Sequence, residues 1–175
     1  MVTTNLITDN QSVVRGEERD EQDKAERERD FSAEFPNDRA CLDYLLQLRF
    51  GTRIKCPKCG RTAKFHKIRQ IPAYACQWCG YHLHPMANTR FARSRVGLLS
   101  WFRAIELFTH VPNGISARQL ERRLDLSYKT AWRIRNAIVD AKSALPRHRR
   151  REGGVTFEEL LAVMLSPAPD KGRPE

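Results

Sequence analysis

The stretch that most constrains this chain is the twenty-four residues from Cys56 to Cys79. Cys56-Pro57-Lys58-Cys59-Gly60 opens it, sixteen residues separate Cys59 from Cys76, and Cys76-Gln77-Trp78-Cys79-Gly80 closes it. Two Cys-x-x-Cys turns at that separation match the spacing of a four-thiolate zinc site. Each turn sets two sulfurs on one edge of a tetrahedron, and the following glycine can take the positive φ that a tight knuckle needs. Sixteen residues suffice for a hairpin that brings the second knuckle to face the first. The metal ligands are therefore Cys56, Cys59, Cys76 and Cys79. Four thiolates close the coordination sphere, so one structural Zn²⁺ is expected, with iron in a rubredoxin-type site as the rival. His82 and His84 lie nearby in sequence but are not needed as ligands, and no general base accompanies an open metal position.

The rest of the chain says what surrounds the metal. Its 175 residues suit one compact domain or two small ones. Net charge is +10 overall, but unevenly spread. Residues 1–30 hold nine acids and five bases, whereas residues 49–151 hold twenty-three Lys and Arg against Glu106, Glu121, Asp125 and Asp140. So one-sided a basic segment points to a polyanion, and nucleic acid is the usual one. No run of eighteen apolar residues predicts a membrane span, and Met1–Asn10 lacks the pattern of a secretory signal. A cytoplasmic, nucleoid-associated protein with reduced cysteines is expected, which favours metal over disulfides. Cys41, the fifth cysteine, sits on an apolar helical face as a buried thiol.

In chain order, residues 1–33 read as an acidic tail without lasting structure, in which Glu/Arg pairs support transient helix. The tail either folds back onto the basic segment or is a solvated leader. Residues 34–88 read as a ribbon domain. Its leading helix is capped by Asn37 or Asp38, carries Cys41, Tyr44, Leu45 and Leu48 on its apolar face and stops at Gly51. Short strands at 53–55, 63–68, 71–75 and 81–84 suggest a three-stranded sheet, too small to fold without its metal. Residues 89–146 read as three helices, 96–108, 116–124 and 128 to about 144. Ser116 and Gln119 form a capping box, and Ser127 caps the third helix. Helix, three-residue turn, longer helix is the helix-turn-helix plan. The third helix buries Ala131, Ile134, Ile138, Ala141 and Leu145, and Trp132 is expected in the core. Ser127, Lys129, Thr130, Arg133 and Asn136 are the candidate DNA contacts, since Arg pairs with guanine and Asn with adenine. Residues 147–175 read as a basic linker with Arg147-His148-Arg149-Arg150-Arg151, a short helix over 156–165 and a loose tail. That helix either docks on its own chain or seeds a homodimer. The fold class expected is small α+β with loose ends.

From Phe35 to about Ala144 the chain resembles the N-terminal part of bacterial insertion-sequence transposases that begin with a zinc-ribbon domain. The resemblance rests on Cys41-Leu42-Asp43-Tyr44-Leu45, Cys56-Pro57-Lys58-Cys59-Gly60 and Tyr74-Ala75-Cys76-Gln77-Trp78-Cys79. It continues through His84-Pro85, Thr89-Arg90-Phe91, Trp101-Phe102-Arg103-Ala104-Ile105 and Tyr128-Lys129-Thr130-Ala131-Trp132-Arg133-Ile134-Arg135. It implies a reader of double-stranded DNA ends such as inverted repeats. In that family the reader precedes an RNase H-like domain with three metal-binding acids. Only twenty-four residues follow Arg151, too few for such a fold, so DNA binding without strand transfer is expected, with any catalysis on a separate subunit. The alternative is a zinc-ribbon adaptor or regulator that binds protein or RNA.

Overall fold

The computed structural model describes residues 25–92, 94–111, 114–146 and 154–166. The chain divides into two compact units, 1–36 and 37–175. In the first unit residues 25–34 are helical (α1), and the rings of Phe31 and Phe35 lie 5.0 Å apart. The helix anticipated as transient in the acidic tail is thus formed over its last third. Residues 1–24, the rest of that tail, lie outside the described residues, as do Arg147–Gly153 and Pro167–Glu175.

The second unit is a small mixed α/β arrangement. Its first helix, α2 (Asp38–Phe50), starts because the Asn37 side chain accepts from the Arg39 and Ala40 amides, each at 3.0 Å. It ends at Gly51, whose φ of +71° is open to glycine at no steric cost. Cys41, Leu42 and Leu45 are its buried residues. Leu48, expected on that face, is 44% exposed. The face that meets the next helix, Leu98–His110 (α3), is carried by the first two turns, while the last turn serves a polar tether, Arg49 Nη1 donating to the carbonyls of Pro85 and Ala87. Burial pushes the Cys41 thiol up to about 12, with Asp38 adding to the effect, so it is an inert packing group.

Five short strands follow. β1 (Ile54–Lys55) pairs antiparallel with β2 (Thr62–Ala63), and β3 (Phe65–Lys67), β4 (Tyr74–Cys76) and β5 (His82–Leu83) form a second, antiparallel sheet in that order. The single three-stranded sheet expected from the sequence is therefore two sheets. The segment 63–68 breaks at Lys64, whose carbonyl accepts from the Gln77 amide at 3.1 Å, so the strand leaves the first knuckle's hairpin and joins the second's. Strand 71–75 shortens to Tyr74–Cys76 because Ala73 turns back to bond Ile71 at 2.8 Å.

Helix α3 (Leu98–His110) starts two residues later than the periodicity suggests. Its N-cap, Gly97, offers no side chain. Asp38 on α2 takes that role from a distance: its Oδ1 accepts from the Leu99 amide at 2.7 Å. A Cβ on Gly97 would stand 2.6 Å from Asp38 Oδ2, so a larger residue there would displace the capping carboxylate. The buried face of α3 comprises Leu98, Trp101, Phe102, Ala104, Ile105 and Phe108. Against it pack α4 (Ala117–Leu124), α5 (Tyr128–Ala144) and α6 (Phe157–Leu165). Both capping boxes are present, Ser116 with Gln119 and Thr156 with Glu159. Asp125 joins α4 to α5 in the left-handed region, its amide bonding Glu121. The α5 seam is buried as expected at Ala131, Ile134, Ile138 and Ala141, with Leu145 at its cap only partly covered. Between the two options for the last helix, docking on its own chain is what occurs: Leu160, Leu161 and Met164 are fully buried, and Phe157 meets Phe102 edge-on at 5.5 Å.

Two consequences are measurable. Asp38→Ala should cost about 1 kcal/mol in urea unfolding through loss of the cap on α3, whereas Asp38→Asn should keep most of it; no loss in the alanine variant would contradict the capping role. Tyr74, buried and donating to Asp43, has its phenol pKa raised, chiefly by burial and then by that carboxylate. A raised pKa means that the folded state holds a proton the unfolded chain has lost. Stability from this group is therefore full below about pH 10 and falls as pH rises above it. Tyr74→Phe should flatten the alkaline arm of the stability profile.

Candidate metal centre and basic helical face

Each knuckle is closed by the same pair of backbone bonds. The Cys56 amide donates to Arg61 at 2.9 Å and the Gly60 amide returns to Cys56 at 2.9 Å; the Cys76 amide donates to Tyr81 at 2.9 Å and the Gly80 amide to Cys76 at 3.0 Å. Gly60 and Gly80 share φ of +69°. This repeat brings the four sulfurs within 4.8 Å of one another. Sγ of Cys56 lies 3.6 Å from that of Cys79, and Cys59 lies 4.0 Å from Cys76. A tetrahedron with Zn–S bonds near 2.3 Å has edges of about 3.8 Å, whereas a disulfide would need about 2.0 Å. The thiols thus fit a metal and are not cross-linked. Burial opposes ionisation of Cys56, but the amides of Cys59 and Lys58 and the neighbouring thiols outweigh it and bring its pKa down to about 7. Against the pull of the Tyr81 amide, Cys79 is pushed up to about 11 by burial and its neighbouring thiols, so the pair shares its protons. His82 and His84 stand outside the cluster.

Residues 36–82 match the family profile described as the transposase zinc-ribbon domain. That stretch is similar to a transposase zinc-ribbon domain. Its Cys56, Cys59, Cys76 and Cys79 are close enough together to hold one metal ion. The chain is also 30% identical over 128 residues to an uncharacterized protein in transposable element ISH50 of Halobacterium salinarum. That alignment covers 72% of this chain and 42% of the relative, so the chain spans less than half the length of the protein it matches. No solved structure matches it.

The zinc ribbon carries exposed bases at Lys55, Lys58, Arg61, Lys64, Lys67 and Arg69. Lys67 is engaged by Asp43, and the Arg61 guanidinium lies 5.8 Å from the ring centroid of Trp78, which is 58% exposed. The ribbon is fastened to α2 through polar contacts: Arg39 Nη2 donates to the Ile68 carbonyl at 2.7 Å, and Asp43 accepts from Tyr74 and Lys67.

On α5, Lys129 and Arg133 are exposed, and Thr130 and Asn136 are partly buried. Ser127 is exposed and acts as the cap: its hydroxyl accepts from the Thr130 amide and lies 2.8 Å from Thr130 Oγ1. Trp132, expected in the core, is 50% exposed. It stands one residue past the buried Ala131 and one turn past Tyr128, itself 48% exposed with Arg118 of α4 over its ring. The seam through Ala131, Ile134 and Ile138 turns Trp132 outward, and that signal was available in the periodicity. Arg135 is spent on structure, with Nε donating to the Ile115 carbonyl at 3.0 Å.

Purified protein should contain one zinc per chain, and Cys59→Ser should abolish stoichiometric binding, both by elemental analysis. Because thiols must ionise to bind, zinc should be released as pH falls below neutrality. Iron, or no metal in a folded sample, would overturn the assignment.

Proposed function

We propose that this protein binds double-stranded DNA, with α5 as the recognition helix of a helix-turn-helix formed by α4, Asp125-Leu126-Ser127 and α5. The observation that carries this reading is the solvent face of α5. Lys129, Arg133 and Asn136 share that face with Tyr128 and Trp132, while the opposite face is sealed by Ala131, Ile134, Ile138 and Ala141. Cationic, amide and aromatic side chains on one rigid helix suit base edges and thymine methyls in a major groove. Ser127 and Thr130, at the helix start, are placed to meet phosphate as the end of a helix dipole does. The neighbouring bases Arg118, Arg122 and Arg123 on α4 and those of the zinc ribbon supply attraction that does not depend on sequence.

The zinc-ribbon match and the relative from a transposable element support a target of the kind such elements carry, their inverted-repeat ends. The role assigned to this chain is recognition, and strand transfer is assigned elsewhere. The zinc is a staple, since a closed four-thiolate set leaves no position for substrate or water. An adaptor that binds protein or RNA is the competing outcome of the test.

Fluorescence anisotropy should show duplex binding that is selective for element-end sequences and weakens steeply with salt. Arg133→Ala and Asn136→Ala should each relax selectivity at one base pair, costing about 1–3 kcal/mol there. Equal affinity for all duplexes, unchanged by both substitutions, would dismiss the helix-turn-helix reading. Mg²⁺-dependent cleavage by the purified chain would dismiss the non-catalytic role.

A further inference from the structure

Between residues 90–92 and 94–96 on one side and the first half of α5 on the other lies an open groove of about 760 Å³. Four bases line it, Arg90 and Arg95 from the first side and Lys129 and Arg133 from α5, and no acid is among its lining residues. Thr130 adds a hydroxyl, and Trp101 an apolar wall.

The first side is held in shape by a connected set of bonds. The Trp101 indole donates to Ser94 Oγ at 2.9 Å, and the Val96 amide donates to the same oxygen at 3.1 Å. Buried Thr89 accepts from the Phe91 amide at 3.2 Å and donates to the Met86 carbonyl at 2.6 Å, while Phe91 meets Trp101 edge-on at 5.5 Å. The Arg90 amide bonds the Met164 carbonyl of α6 at 3.0 Å. The backbone of this arginine is therefore fixed. Its Nε is buried and has no hydrogen-bond partner among the described residues, although a buried guanidinium donor ordinarily finds one. Four cations around one groove repel each other unless an anion lies between them.

We propose that this groove seats a backbone phosphate of the duplex whose bases face α5, with Arg90 and Arg95 as phosphate contacts outside the helix-turn-helix. The inference rests on the DNA-binding reading above. Duplex DNA, and not a small free anion, is the occupant that the shape favours. The groove is open, and two of its bases, Lys129 and Arg133, also border the outward face of α5. A strand presenting base edges to Asn136 and Trp132 would carry its phosphates past the same two side chains. Phosphate contacts of this kind fix the register of a recognition helix without reading sequence.

Arg95 is exposed, so its replacement can be made with little risk to folding; Arg95→Gln is the first variant and Arg90→Gln the second. Binding isotherms should be taken at several salt concentrations on element-end and scrambled duplexes, with zinc content and melting temperature as folding controls. Arg95→Gln should weaken both duplexes by the same factor and reduce the slope of log affinity against log salt by about one. If the slope and affinity stay at the wild-type values while the wild-type protein binds selectively, the groove assignment is wrong and the DNA-binding reading stands. If Arg95→Gln alters the preference between duplexes, Arg95 touches bases and the phosphate assignment is again wrong. Failure of the wild-type protein to bind any duplex would remove the DNA-binding reading and the groove with it.

Discussion

The meeting of four thiols is the interaction on which the first half of the fold depends. The cluster around the sulfurs is Cys56, Ala63 and Cys76, with Cys59, Phe65 and Cys79 packed against it, and the ribbon adds buried Ile54, Ala73, Tyr74 and Leu83. Strands of two and three residues add few ladder bonds. Burial on that scale does not offset the entropy of ordering the hairpins. The two knuckles are held face to face by ligands that are also the core, so removing the metal removes both at once. What remains is a few buried apolar side chains and polar ties: Arg39 to Ile68, Asp43 to Tyr74, and Arg49 to Pro85 and Ala87. These contacts orient a folded ribbon on α2 and would do little to create one.

The second half is built in the opposite manner, from apolar burial around α3. Helices α2, α4, α5 and α6 pack on it, and α6 closes the core from a point late in the chain with Leu160, Leu161 and Met164. The halves are joined at Asp38, which belongs to the ribbon's leading helix yet caps α3. Because α5 is pinned by its seam and by the Arg135–Ile115 bond, its outer face is presented in a fixed orientation. Rigid presentation lowers the ordering cost of any contact made there.

Much of this was legible in the residues because local chemistry specified it. Cys-x-x-Cys-Gly twice at the right separation gave the metal site, and Ser116 with Gln119 gave the start of α4. Three features were not legible. The break at Lys64 depends on a bond to Gln77, thirteen residues away and meaningful only once both knuckles are folded. The start of α3 depends on a cap from Asp38, sixty-one residues from Leu99. The groove requires residues 90–92 and 94–96 to be neighbours of α5, which no periodicity reveals. Trp132 is a different case. Large aromatics are usually buried, and that expectation overrode a helical seam that already pointed the side chain outward.

An outward Trp132 beside Lys129, Arg133 and Asn136 also bears on how affinity and selectivity are divided. An indole half in water forfeits burial that a core position would supply, at about 25 cal/mol per Å² of apolar surface left wet. The bases around it cannot recover that loss, since charge attracts any polyanion regardless of sequence. A partner that covers the ring while neutralising the bases recovers both terms together. On the DNA-binding reading, Arg90, Arg95 and the ribbon lysines supply the salt-sensitive share of affinity. Arg133, Asn136 and Trp132 supply contacts that differ between base pairs. Separate side chains then carry the two terms, so either can change without loss of the other.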